Sequence, residues 1–190
     1  MIAQLKKAEE YAKKYLAEEI KEIENTTRIN HLLNLSVFEK ASILKYTNDG
    51  YEDLNEYLRK TEGKEKTDFG KIIDQSLSKL DNYNGLVYRC ATLSKKELQL
   101  YKNAFELAKP IVEHTFLSTS KSKTIAYMFG KNTIFRIYSR TGKDIEKIAK
   151  FGSDHPQNEQ EVLFRTGSAF DILDISKEGS RTLITMEERK

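Results

Sequence analysis

Cysteine is nearly absent. Cys90 is the only one among 190 residues, which excludes a disulfide framework within the chain and any cysteine-rich zinc site. Histidine is almost as scarce: His31, His114 and His155 are widely separated, without acidic, serine or cysteine partners at informative spacing. Each is read as a structural or surface residue, and no metal site is expected. An excess of one charge is missing too. Lys and Arg number 32 against 29 Asp and Glu, a net +3, and the two signs are interleaved, so nucleic acid is not expected as a partner. No run of about eighteen apolar residues occurs, so no membrane span is expected. Lys6 and Lys7 have no apolar segment behind them, and hence no secretory signal peptide is expected. A reducing, cytosol-like workplace follows, either the cell's own or that of a target cell reached by delivery.

The common nucleotide and hydrolase signatures are lacking as well. None of the nine glycines forms Gly-x-Gly, so the Rossmann fingerprint is absent, and no Gly-x-x-x-x-Gly-Lys phosphate loop occurs. There is no Gly-x-Ser-x-Gly elbow and no His-Glu-x-x-His.

What the chain does have is core material. Hydrophobic residues make up 38% and include ten Tyr and nine Phe, enough at this length to bury a sizeable interior. Over residues 2–24, Ile2, Leu5, Ala8, Ala12, Tyr15, Leu16, Ile20 and Ile23 recur at helical spacing, and charges fill the other face. Asn25-Thr26-Thr27 breaks the pattern. Helical periodicity returns over 32–46, 51–59 and 68–81, with Thr47-Asn48-Asp49-Gly50 read as a turn. After Tyr83-Asn84-Gly85, read as another turn, strand-like runs take over at 86–90, 115–118, 133–138, 161–165, 169–175 and 181–186. Helical stretches at 95–107 and 123–129 interrupt them. Helices first and strands afterwards predict an α+β fold. One domain is expected over 1–190, mainly helical over 1–81 and β-rich over 83–190.

Glu159 and Glu161 stand two apart, directly before Val162-Leu163-Phe164. In extended backbone, side chains two apart point to one face. Both carboxylates are therefore expected to project together, anchored by the apolar run. Alone this says little, since Glu22-Ile23-Glu24 shows the same spacing on an expected helix. Two upstream features sharpen it. Arg89 ends the run Leu86-Val87-Tyr88, and Ser118-Thr119-Ser120 follows Phe116-Leu117. An arginine ending a strand is usually solvated or paired, and Ser-Thr-Ser is usually a turn or cap. Their order, with these flanks, is far more specific than any one of them. Cys90, in an apolar run beside Tyr88, is read as a buried, inert thiol.

With these residues in place, the chain resembles the mono-ADP-ribosyltransferases of the Arg–Ser–Glu class, the clostridial-toxin and ecto-ADP-ribosyltransferase type. Leu86-Val87-Tyr88-Arg89 resembles the family's arginine strand, Phe116-Leu117-Ser118-Thr119-Ser120 its Ser-Thr-Ser strand, and Asn158-Glu159-Gln160-Glu161-Val162-Leu163-Phe164 its catalytic turn. The helical region before the sheet, from Ile43 through Arg59, and the closing run Leu183-Ile184-Thr185-Met186 are similar too.

The resemblance implies a helical N-terminal part, then a core of two packed sheets with NAD, the co-substrate, bound in a cleft. It implies phosphate contact by Arg89, since a forked guanidinium suits a pyrophosphate. It implies that Glu161 stabilises the oxocarbenium-like centre formed as nicotinamide leaves, with Ser118 orienting it. Cys90, Thr119, Ser120 and Phe129 would complete the NAD site, Phe129 as an aromatic for nicotinamide. Glu159 implies arginine as acceptor, because family members with glutamine there modify asparagine. The loop over 151–158, with Phe151 and His155 exposed beside the acids, would recognise the target. Many members have glycine where this chain has Cys90, which alters the pocket floor. The implied partner is a target protein presenting an arginine; whether an immunity or antitoxin protein accompanies it is left open by the sequence. The implied setting is that of a toxin or effector, secreted or injected without a classical signal peptide into a target-cell cytoplasm. Other readings are an NAD glycohydrolase and a catalytically silent relative that binds a partner through the 151–158 loop.

Overall fold

The computed structural model describes the backbone of residues 2–189 and the side chains of residues 6–189; the expected apolar positions Ile2 and Leu5 lie outside the described side chains. Packing divides the chain into two compact units. One comprises the residues up to Asp81 together with Asp144–Gln160, and the other Asn82–Lys143 together with Glu161 onward.

The first unit is helical. α1 (Ile2–Tyr15) and α2 (Ala17–Glu24) replace the single helix expected over 2–24. The break is confined to Leu16, whose φ of −128° and ψ of 37° leave the helical region while the flanking bonds, Leu16 N to Ala12 O and Ile20 N to Leu16 O, persist. Ala8, Ala12, Leu16 and Ile23 are buried as the periodicity predicts, whereas Tyr15, expected on the same face, is exposed at the end of α1. After a 3₁₀ turn at Thr27–Asn30 comes α3 (Val37–Lys45). It starts later than the expected residue 32 because Leu32 is left-handed (φ 47°) and Ser36 forms a capping box with Glu39. Thr47-Asn48-Asp49-Gly50 is not a break: Tyr46–Gly50 is one π turn leading straight into α4 (Tyr51–Lys60). α5 (Asp68–Ser78) is capped by the Thr67 hydroxyl, which accepts from Gly70 N, and ends before the expected residue 81. Ile23, Ala41 and Leu44 form a core between α2 and α3, each large apolar side chain contributing about 1.5–3 kcal/mol by burial.

The second unit carries the strands β1 (Tyr83–Ala91), β2 (Ile111–Glu113), β3 (Leu117–Ser120), β4 (Thr133–Asp144), β5 (Glu161–Phe164), β6 (Ser168–Glu178) and β7 (Arg181–Glu188). The helices α6 (Lys95–Glu106) and α7 (Lys123–Ala126) lie between them in sequence. Tyr83-Asn84-Gly85 is the start of β1, with a bulge, rather than a turn. α7 is shorter than the expected 123–129, and β2 was not expected at all. The strand order is β1-β3-β5-β4-β7-β6-β2, and β1 also pairs antiparallel with β4 along most of its length. The strands β1, β3, β5 and β4 thus close into a ring. Val87, Leu117, Phe135, Ile137, Val162, Phe164, Phe170, Ile184 and Met186, drawn from these strands and from β6 and β7, are buried in one core cluster. On β4 and β5 neighbouring residues of both faces are buried, Ile134 with Phe135 and Leu163 with Val162, so the apolar positions do not simply alternate.

Candidate active site

Strand register brings the candidate NAD-site residues of the second unit together. Ser120 of β3 lies opposite Tyr88 of β1 and, on its other side, opposite Glu161 of β5. Directly opposed residues in antiparallel strands share a face, so Tyr88, Ser120 and Glu161 form one row across three strands. Ser118, two residues before Ser120, falls on the same face by alternation. Arg89 follows Tyr88, and its guanidinium Nη1 donates to the Ser118 carbonyl at 2.7 Å. Glu161 is buried and is followed by Val162, Leu163 and Phe164, all fully buried, as expected of an anchored carboxylate.

Other expected NAD-site residues are tied up locally. The Thr119 hydroxyl donates to the Val162 carbonyl at 2.6 Å, a clamp between β3 and β5. Ser120 Oγ accepts from Ser122 N, and Ser122 in turn caps α7. This leads to Met128 and Phe129, large apolar side chains that are 74% and 60% exposed. The following Gly130 fixes their position, because a Cβ there would meet the Ala91 amide of β1 at 2.3 Å. Cys90 is buried with Ile134 and Leu183, against Tyr127. Burial pushes its thiol up, more than the nearby Arg181 guanidinium lowers it. Alkylation of the folded protein at about pH 8 should therefore be slow and become fast in denaturant. Thiol counting over time checks this, and rapid labelling of the native chain would contradict the buried thiol.

Glu159, Phe151 and His155 belong to the first unit, on the loop over 144–160. The backbone between the two glutamates is not extended. Gln160 is left-handed (φ 51°) and β5 begins only at Glu161, so strand alternation does not apply across the pair. The Asn158 side chain causes this locally. Its Oδ1 accepts from Gln160 N at 2.9 Å while its Nδ2 donates to Glu146 at 2.5 Å. Glu159 N donates to the Phe151 carbonyl at 2.8 Å. Burial raises the Glu159 carboxyl above the usual carboxylate range. Phe151 and His155, expected to be exposed, are instead half-buried and pack edge-on, with ring centroids 4.9 Å apart. His155 Nδ1 accepts from Gln157 N.

The loop is bolted to the helices. Buried Arg28 donates to the carbonyls of Ala149 and Lys150 and pairs with Glu22 at 3.7 Å. Lys150 N donates to Thr47 Oγ1, and Lys150 Nζ lies 2.9 Å from Glu22. Thr27 hydrogen-bonds Asp154. Gly152 closes the turn so tightly that a Cβ would fall 2.0 Å from the Glu146 carbonyl oxygen. Backbone cannot give way there. Gly152→Ala should cost about 3 kcal/mol and lower Tm by roughly 10 °C. A melt within a degree or two of the parent would contradict this packing.

Sequence reading passed over Tyr51, at the start of α4. Burial raises its phenol first, and the carboxylates of Glu52 and Glu159 add to the effect, so Tyr51 lies within electrostatic reach of Glu159. In sequence it stood only within the helical region, from Ile43 through Arg59, that resembles the family's, and was given no role there. Among the described residues no group of three or more His, Cys, Asp or Glu could hold a metal ion. Nor is any described helix long and apolar enough to cross a membrane.

This arrangement has known counterparts. Its fold is that of bacterial ADP-ribosyltransferases. Exoenzyme S from Pseudomonas aeruginosa, solved with human 14-3-3 protein beta and carba-NAD, superposes with a TM-score of 0.76 at 21% identity, over 98% of this chain and 88% of that one. The chain matches the family model described as ADP-ribosyltransferase exoenzyme over residues 6–189 and belongs to that family. In sequence it is 34% identical over 156 residues to a Mycobacterium avium (strain 104) protein provisionally named NAD(+)–arginine ADP-ribosyltransferase Mav. That match covers 78% of this chain but 18% of the relative. It is 31% identical over 145 residues to the NAD(+)–protein-arginine ADP-ribosyltransferase Tre1 of Pseudomonas putida (strain GB-1), covering 75% of this chain and 27% of that protein.

Proposed function

We propose that this chain transfers ADP-ribose from NAD to an arginine of a target protein, its two units acting as one ADP-ribosyltransferase domain. The observation that carries the reading is the row Tyr88–Ser120–Glu161, with Arg89 fastened to the neighbouring Ser118 carbonyl. The row puts the Glu161 and Ser120 positions on one face, and Arg89 reaches the Ser118 backbone of the same strand β3. Carboxylate, hydroxyl and guanidinium are the groups needed to bind a pyrophosphate and stabilise a cationic sugar. In this reading Arg89 holds the pyrophosphate, and Ser118, Ser120 and the backbone at Thr119 and Cys90 line the NAD cleft. Phe129 covers nicotinamide, and Glu161 stabilises the oxocarbenium-like centre. The two packed sheets the resemblance implies would be joined through β1, which pairs with both β3 and β4 in one seven-stranded sheet. Glu159 binds and activates the acceptor guanidinium, which stays protonated below about pH 12, and Phe151 with His155 shapes the recognition loop. The names of the curated relatives support arginine as acceptor. An effector acting inside a target cell is the setting we infer from the relative named secreted exoenzyme S.

Incubation with labelled NAD, with and without cell lysate, tests this. Nicotinamide release and label on lysate proteins, removable by arginine-directed chemistry, are expected. Nicotinamide release without label would make the chain an NAD glycohydrolase, and no turnover in any lysate would favour a silent binding module.

A further inference from the structure

We propose that a cleft within the helical unit, lined by none of the candidate active-site residues, docks the guanidinium of an arginine on a partner polypeptide. The cleft has a volume of about 520 Å³ and lies among α1, α4 and the start of α5. Its walls are aromatic. Tyr11 stacks on Phe69 with centroids 5.7 Å apart and an interplanar angle of 17°, and meets Tyr15 at 4.9 Å. Tyr57 adds a further ring to the lining. Gly50, at the end of the π turn, makes this possible, because a Cβ there would come within 3.0 Å of the Phe69 ring.

The charge at the mouth is acidic. Asp53 and Asp68 line it, Asp68 being paired with Lys71 at 3.3 Å. Among the described residues the basic liner is Lys45, held by Asp49 at 2.8 Å and Glu19 at 3.7 Å, so the acidic balance rests on Asp53. Tyr15, 58% exposed at the rim, already carries a cation, since the Lys14 ammonium sits 4.9 Å from its ring centre. Aromatic faces flanked by carboxylates select a cation with an apolar stem, and a flat guanidinium stacks on rings where a hydrated ammonium does not. The volume exceeds one side chain, which leaves room for the residues on either side of the arginine.

Calorimetry with N-acetylarginine amide tests this, with the neutral N-acetylcitrulline amide as its near-isostere. Every protein should also carry Glu159→Gln, so that arginine held at the candidate catalytic acid does not contribute. Saturable binding in the millimolar range is expected for the arginine probe and none for citrulline. Tyr15→Ala with Asp53→Asn should weaken it about tenfold, whereas Tyr15→Phe, which keeps the ring, should not. Both positions are exposed, so folding is not at stake. Equal binding of citrulline, an unmoved affinity in the double variant, or no saturable binding would each overturn the proposal. None of these outcomes bears on NAD turnover, which is read separately with labelled NAD.

Discussion

Glu161→Gln is expected to lower nicotinamide release from NAD by about a thousandfold, the loss associated with removing preorganised charge from a developing ionic centre. The substitution keeps the shape of the side chain and removes only its negative charge. The residue opens β5 opposite Ser120, and the buried Val162, Leu163 and Phe164 hold the strand whatever stands at 161. Tm should therefore stay within about 3 °C, and chromatographic detection of nicotinamide beside a thermal melt separates chemistry from folding. Turnover within tenfold of the parent would remove Glu161 from the reaction.

Glu159→Gln should split the two half-reactions. Transfer to arginine should fall by about a hundredfold or more, the usual weight of a positioned general base, while NAD hydrolysis persists within a few-fold. Acidity gives a second readout. Burial raises the Glu159 carboxyl, so the fold favours its protonated form. The stability that form contributes is present at low pH and is lost as pH rises from the ordinary glutamate value through the raised one. The charged form needed to bind a guanidinium is correspondingly lost, on acidification, at a higher pH than for an ordinary carboxylate. Transfer should thus decline on the acid side before hydrolysis does. Parallel pH–rate profiles of the two activities would contradict this role.

Much of the β unit was legible because apolar runs mark buried strands. Val162-Leu163-Phe164 and Leu183-Ile184 were placed from composition alone, and both are buried. The order Arg89, Ser118, Glu161 was visible as motif, and the register then set Ser120 between Tyr88 and Glu161. What escaped were features decided by backbone and long-range partners. The left-handed Gln160 depends on Asn158 bonding in two directions, to Gln160 N and to Glu146. The attachment of residues 144–160 to the helices depends on Arg28, far away in sequence, reaching the carbonyls of Ala149 and Lys150. β2 is three residues long and gains its strand character only from β6. Thr47–Gly50 reads as a turn by composition, yet the helix runs through it as a π turn because propensity is a weak prior against packing.

β7, the last of the described strands, is not at the edge of the sheet. β7 inserts between β4, with which it runs parallel, and β6. Until residues 181–188 are available, β4 has an unpaired edge and the buried Ile184 and Met186 are missing from the interior. A chain emerging from a ribosome, or threaded through a narrow conduit N-terminus first, therefore cannot complete this sheet until those residues have passed. Long-range, partly parallel pairing of this kind forms slowly. The β unit is thus completed only late in folding, when its interior strand is set between β4 and β6.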